Sequence, residues 1–236
     1  MKAVEQIESL NWDGVADELN EQGFAVVQSL LSAADCKRIM NMYDDPRTEF
    51  RSTVDMARHN FGRGEYKYFA YPLPTDVQNL RAAFYPKLAR IANEWAGRLG
   101  EKPTWPNSLA KLTARCRLEG QSRPTPLMLR YGEGDYNCLH QDLYGPLHFP
   151  MQIVILLSSP ATDFAGGELV LVEQRSRAQS RPLVVPLQQG GAAIIPVRER
   201  PRCGAKRIHR AQMRHGVGEI RQGTRTTLGL IFHDAK

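Results

Sequence analysis

What most constrains the fold of this chain is everything after Pro124. From there to the end, short apolar or β-branched runs alternate with turns rich in Gly, Pro and Asp, and no helical pattern intervenes. Strands are expected at 126–131, 149–158, 168–173, 182–187, 192–197, 208–215 and 226–233. Seven or so strands without intervening helices indicate an all-β sandwich or barrel. The first half reads differently. Leu10, Trp12, Val15 and Leu19 predict one helix from residue 1 to about 22, closed by Gly23, and a short strand follows at 24–27. Ser32 caps a second helix with Cys36, Ile39, Met40 and Tyr43 on one face. A broad stripe from Leu80 through Phe84, Leu88, Ile91 and Trp95 predicts a long amphipathic helix at 77–99, and a further segment runs to Arg117. The whole is expected to be one domain, mainly β with flanking helices, in which 1–124 supplies helical support and a substrate loop.

Within the strand-rich half, residues 129–145 close a strand-like run with His140-Gln141-Asp142. Side chains alternate along a strand, so His140 and Asp142 share a face and Gln141 points away. Alone, such a pair recurs by chance. A third candidate ligand, His215, lies 75 residues on. Two imidazoles and one carboxylate, with open positions opposite, are the donor set of non-haem Fe(II) oxygenases. Arg225 follows ten residues later, with a planar fork suited to a carboxylate, and Thr227 shares its face.

These parts resemble, as a set, the Fe(II)/2-oxoglutarate-dependent dioxygenases, and within them the prolyl-4-hydroxylase-like branch. Tyr131, Gly134, His140, Asp142, the run Gly166-Gly167-Glu168-Leu169, His215-Gly216-Val217 and Gly223-Thr224-Arg225 follow that pattern over about residues 125–233. The stretches 61–74 and 139–149 resemble, more narrowly, a bacterial family catalogued as oxygenases acting on damaged nucleic acid. The resemblance implies a double-stranded β-helix, or jelly roll, at 125–236. It implies Fe(II) on His140, Asp142 and His215, and 2-oxoglutarate whose distal carboxylate is held by Tyr131, Arg225 and Thr227. It further implies O2 as oxidant, succinate and CO2 as products, and hydroxylation rather than halogenation, because Asp142 keeps the carboxylate. Gly166-Gly167 reads as a turn rather than a phosphate cradle, since neither a lysine nor a helix follows.

Charge bears on the substrate. Residues 173–236 hold 13 Lys and Arg against 4 Asp and Glu, a net of +9 in a chain whose total is +6. The densest part, from Arg198 to Arg214, reads either as a solvated loop with strand edges protected by charge or as a nucleic-acid contact surface. Residues 44–74 read as an irregular loop in which Phe61, Tyr66, Tyr68 and Tyr71 mix with Arg58, Arg63 and Lys67. Such a loop suits stacking on a base, clasping a peptide, or simple packing on the barrel. AlkB-type repair enzymes carry a second Arg six residues after the first, where this chain has Ile231. The substrate expectation is therefore damaged nucleic-acid bases, with a protein or peptide side chain as the alternative and a non-catalytic jelly-roll binding protein as a remote third. His59, His148, His209 and His233 are expected to be structural, surface or substrate-contacting.

Four widely spaced cysteines without a CxxC pair argue against a zinc ribbon or a disulfide framework. No stretch approaches the length of a signal or membrane-spanning segment, so a soluble cytoplasmic protein is expected.

Overall fold

The computed structural model describes residues 2–175, 178–204 and 207–236. The N-terminal half contains α1 (Lys2–Ser9), α2 (Trp12–Glu21), β1 (Ala25–Val27), α3 (Ala33–Asn41), β2 (Phe50–Asp55), a single 3-10 turn at Met56–His59, β3 (Gly62–Arg63), β4 (Glu65–Phe69), α4 (Thr75–Arg98) and α5 (Leu109–Leu118). The second half is strands only: β5 (Leu127–Tyr131), β6 (Tyr136–His140), β7 (Met151–Leu156), β8 (Phe164–Gly166), β9 (Leu169–Gln174) and β10 (Arg181–Val185) come first. Then follow β11 (Ala192–Pro196), β12 (Glu199–Cys203), β13 (Ile208–Val217), β14 (Ile220–Gly223) and β15 (Arg225–Leu230).

These strands form a jelly roll. A seven-stranded antiparallel sheet has the order β1-β11-β7-β15-β5-β4-β2, and a second sheet has β10-β9-β13-β6-β3 with β12 on β13. Alternation along β7 shows how the layers are sorted. Ile153 and Ile155 face out and join the helical core with Phe84, Leu88 and Ile91, whereas Leu156 turns inward to meet Leu169, Leu171 and Met213. The helices thus cover the outer face of the larger sheet, and the space between the sheets is left for a site.

Three expectations are corrected. The helix expected at 1–22 is two, because the Asn11 side chain accepts the Gly14 N–H and caps a new helix. The corner is closed by the Trp12 indole, which donates to the Ile7 carbonyl at 2.9 Å. Residues 44–74 are not an irregular loop. β2 and β4 extend the larger sheet beyond β5, and β3 extends the smaller one. The chain turns between them at Gly62 and Gly64, both at positive φ, where a Cβ on Gly62 would strike the Tyr136 carbonyl and one on Gly64 would come within 2.7 Å of the Tyr131 ring. Finally, the residues around Arg200, expected in a solvated loop, form β12 and pair with β13.

The helical layer is tied to the chain's end by Arg81, buried within α4. Its guanidinium donates to the carbonyls of Ile231 and Phe232 and to Asp234 at 3.0 Å. Among the described residues no helix is long and apolar enough to cross a membrane. All four cysteines are free, Cys36 and Cys116 buried and Cys138 and Cys203 exposed.

Candidate metal and co-substrate site

His140 ends β6 and His215 lies near the end of β13, and the two are direct partners in the pairing of those strands. Their ring centroids are 4.2 Å apart. Asp142 enters from just beyond β6, with Oδ1 3.6 Å from His140 Nε2 and Oδ2 3.2 Å from His215 Nε2. One ligand atom from each of the three lies within 4.8 Å of the others. His140 Nδ1 sits 2.7 Å from the Cys138 carbonyl. That carbonyl only accepts, so the proton is on Nδ1 and the Nε2 lone pair faces the site. Cys138 therefore contributes its backbone, while its thiol is exposed.

The electrostatics favour a cation. Burial opposes charge on Asp142, yet the bond from His215, the two imidazoles and the Tyr144 hydroxyl outweigh it and hold the carboxyl far below its ordinary range. Burial, and then His215, push His140 down, which keeps it a neutral ligand. Two imidazoles and one carboxylate form a donor set that suits a divalent transition metal.

The residues expected to hold the co-substrate lie on the facing sheet. Tyr131 and Arg225 are partners across β5 and β15, and Thr227 follows on the same face. All three line one cavity of about 410 Å³ with the His-Asp-His cluster. Arg225 is only 2% exposed, and its Nη1 has no hydrogen-bond partner. Burial lowers its pKa to about 10, with Tyr131 and Glu168 offsetting only part of the effect. A buried guanidinium with an open N–H calls for an anion. Gly167 makes room for it, since a Cβ there would lie 2.9 Å from Arg225 Cδ. The turn expected at Gly166-Gly167 is instead the end of a strand: Gly166 closes β8 and Gly167 follows it, both at positive φ.

Several residues of the site escape a reading of spacing alone. The Gln152 amide is 3.0 Å from His215 Nε2, Asn137 donates to the Tyr131 hydroxyl at 3.2 Å, and Tyr144 donates to Asp142 at 2.6 Å. Gln152 left one signal, as a polar residue inside the apolar run 151–157. None of the other histidines belongs to the cluster. His233 is buried and accepts the Phe149 N–H, and His59 stacks on Phe61 near the mouth.

Half of the described basic side chains in the stretch 198–214 are engaged within the fold. Arg200 and Arg202 pair with the buried Glu173, and Arg210 pairs with Glu101 and Glu199. Arg198, Arg207 and Arg214 remain exposed, while Lys206 lies outside the described residues. The mouth of the cavity is instead aromatic and apolar, with Phe61, Leu139 and Leu143 exposed along its rim.

Comparison with solved structures defines the fold. A prolyl-4-hydroxylase from Pseudomonas putida superposes with a TM-score of 0.53 at 12% identity, covering 95% of this chain and 99% of that one. A 2OG-Fe(II) oxygenase family oxidoreductase from Burkholderia pseudomallei gives a TM-score of 0.53 at 17% identity, covering 97% and 95%. The fold is that of the 2OG-Fe(II) oxygenases. By sequence, the uncharacterized protein Rv2227 of Mycobacterium tuberculosis is 49% identical over 167 residues, 71% of this chain and 72% of that protein. A family model described as "Oxygenase, catalysing oxidative methylation of damaged DNA" matches residues 64–235, and the chain belongs to that family.

Proposed function

We propose that the protein is an Fe(II)/2-oxoglutarate-dependent dioxygenase, a single domain in which His140, Asp142 and His215 hold the metal. The observation that carries this reading is the partnerless Arg225 guanidinium, buried in the same cavity as the His-Asp-His cluster. A dicarboxylate fits both ends of that cavity. Arg225, with Thr227 and the Tyr131 hydroxyl, would take its distal carboxylate, and its other end would reach the metal. When bound, the metal and 2-oxoglutarate would supply the oxidant from O2, leaving succinate and CO2.

The chain's own residues set the conditions for that chemistry. His140 stays neutral and Asp142 stays charged, so a cation held here is only partly neutralised. Leu129, Val154 and Leu169 line the same cavity, an apolar surface that disfavours water.

For the substrate we favour a methylated nucleic-acid base. The family description points there, and the rim offers stacking surfaces, with the His59 and Phe61 rings 5.4 Å apart and nearly parallel. Hydroxylating an N-methyl carbon releases it as formaldehyde, and a base has to leave its stack to reach the site. A peptide side chain is the second reading, favoured by Ile231, which lines the cavity where an AlkB-type enzyme would present a second Arg. The test compares 2-oxoglutarate turnover with methylated single-stranded oligonucleotides and with proline-containing peptides. Stimulation by the oligonucleotide together with formaldehyde release supports the base; stimulation by peptide alone overturns it.

A further inference from the structure

The carboxylate of Asp142 is braced by a chain of side chains that begins outside the cavity. Its Oδ1 accepts the Tyr144 hydroxyl at 2.6 Å, and the Tyr144 oxygen in turn accepts the Tyr68 hydroxyl at 2.9 Å. The direction of this chain is forced. An ionised carboxylate only accepts, so Tyr144 spends its one hydrogen on Asp142, and Tyr68 has to donate to Tyr144. The Tyr68 ring is fixed as well: the Arg51 guanidinium lies 4.1 Å from its centroid, and Arg51 Nε donates to the Pro124 carbonyl at 2.7 Å. Tyr144 packs edge-on against Tyr68, with centroids 6.0 Å apart.

We propose that Tyr144, aligned by Tyr68, is a positioning residue for Asp142, occupying Oδ1 so that the carboxylate presents only Oδ2 to the cation. The inference rests on the metal reading of the His-Asp-His cluster. A carboxylate free to turn can bind a cation through both oxygens and fill a position that the co-substrate or O2 requires. Tyr144 removes that option, because binding through Oδ1 means giving up a charge-assisted hydrogen bond in a buried place. The segment that supplies the brace is β2 and β4, which brings Arg51 and Tyr68 to the metal site from more than 70 residues upstream of Asp142. The role of residues 50–69 is thereby to hold the metal ligand as well as to wall the entrance.

Co(II) is a suitable probe, since its visible absorption reports coordination number as well as binding. The full chain, Tyr144→Phe and Tyr68→Phe are each titrated with Co(II), and chemical unfolding is measured alongside. Tyr144→Phe is expected to lower Co(II) affinity about 10-fold and to change the shape and intensity of the absorption bands. Tyr68→Phe keeps the bond to Asp142 but frees the hydroxyl to turn, so it shifts both readouts in the same direction by less. A Tyr144→Phe protein with the wild-type spectrum and affinity overturns the proposal. If that variant does not fold, Tyr68→Phe decides: an altered spectrum at unaltered unfolding supports the brace, and an unaltered spectrum overturns it. A wild-type chain that takes up no Co(II) overturns the metal reading itself, and the brace with it.

Discussion

His140 and His215 face each other as strand partners, with ring centroids 4.2 Å apart. Residues 75 apart in sequence thus form one edge of the site through backbone pairing alone. Asp142 then needs only to follow His140 out of its strand to complete the cluster. The geometry is built into the sheet and does not wait for a ligand to assemble it.

Replacing any one of the three by Ala should therefore remove metal binding and leave the fold intact. The expected loss in Fe(II) affinity exceeds the roughly 10- to 100-fold seen when only an outer partner is removed. Metal titration and thermal unfolding, run together, check this; full affinity in Asp142→Ala would remove that residue from the metal site.

Arg225→Ala should act on the co-substrate and not on the metal. A charge-assisted hydrogen bond contributes about 1.5 to 3 kcal/mol, so the 2-oxoglutarate concentration needed for half-maximal turnover should rise roughly 10- to 100-fold. Arg225→Lys should recover little, because an ammonium lacks the planar fork. An unchanged requirement in Arg225→Ala would mean that another group holds the distal carboxylate.

Glu173 sits fully buried between Arg200 and Arg202. Glu173→Gln leaves a buried guanidinium without its counter-charge, and the expected loss is about 3 to 5 kcal/mol in chemical unfolding. Arg90→Ala, which breaks an exposed pair with Asp13, should change stability by less than about 1 kcal/mol. Equal effects of the two would refute the difference drawn between them.

His233 makes stability fall in acid. Burial, then the charges of His148 and Arg81, lower its pKa from 6.5 to about 3, so it stays neutral and accepts the Phe149 N–H. The unfolded chain takes up a proton below about 6.5 that the folded chain refuses. Its contribution is therefore full above 6.5 and is lost as pH falls toward 3. His233→Asn keeps an acceptor and removes the titration. The difference between the two proteins' stability curves should slope over that window, and a flat difference would count against the assignment.

How far the sequence led follows from where each signal lives. Arg225 and Thr227 can be paired from the sequence because strand alternation puts them on one face, and His140 and Asp142 because one residue separates them, although Asp142 lies beyond the end of β6 and not on it. The hydrogen bond between Tyr68 and Tyr144 joins residues 76 apart, and no local pattern carries such a contact. Residues 44–74 read as loop because Gly62 and Gly64 punctuate them, yet those glycines let β3 and β4 approach β6 and β5. The charge of the basic stretch is likewise plain in the sequence, but Glu101 and Glu173, which pair with three of its arginines, lie far from it.

The most direct test of the central claim is succinate formation from 2-oxoglutarate by the full chain loaded anaerobically with Fe(II) and then exposed to O2. The account predicts succinate in proportion to the iron bound, falling to background in His215→Ala. Iron-loaded protein that consumes no 2-oxoglutarate, with or without oligonucleotide or peptide, would contradict it.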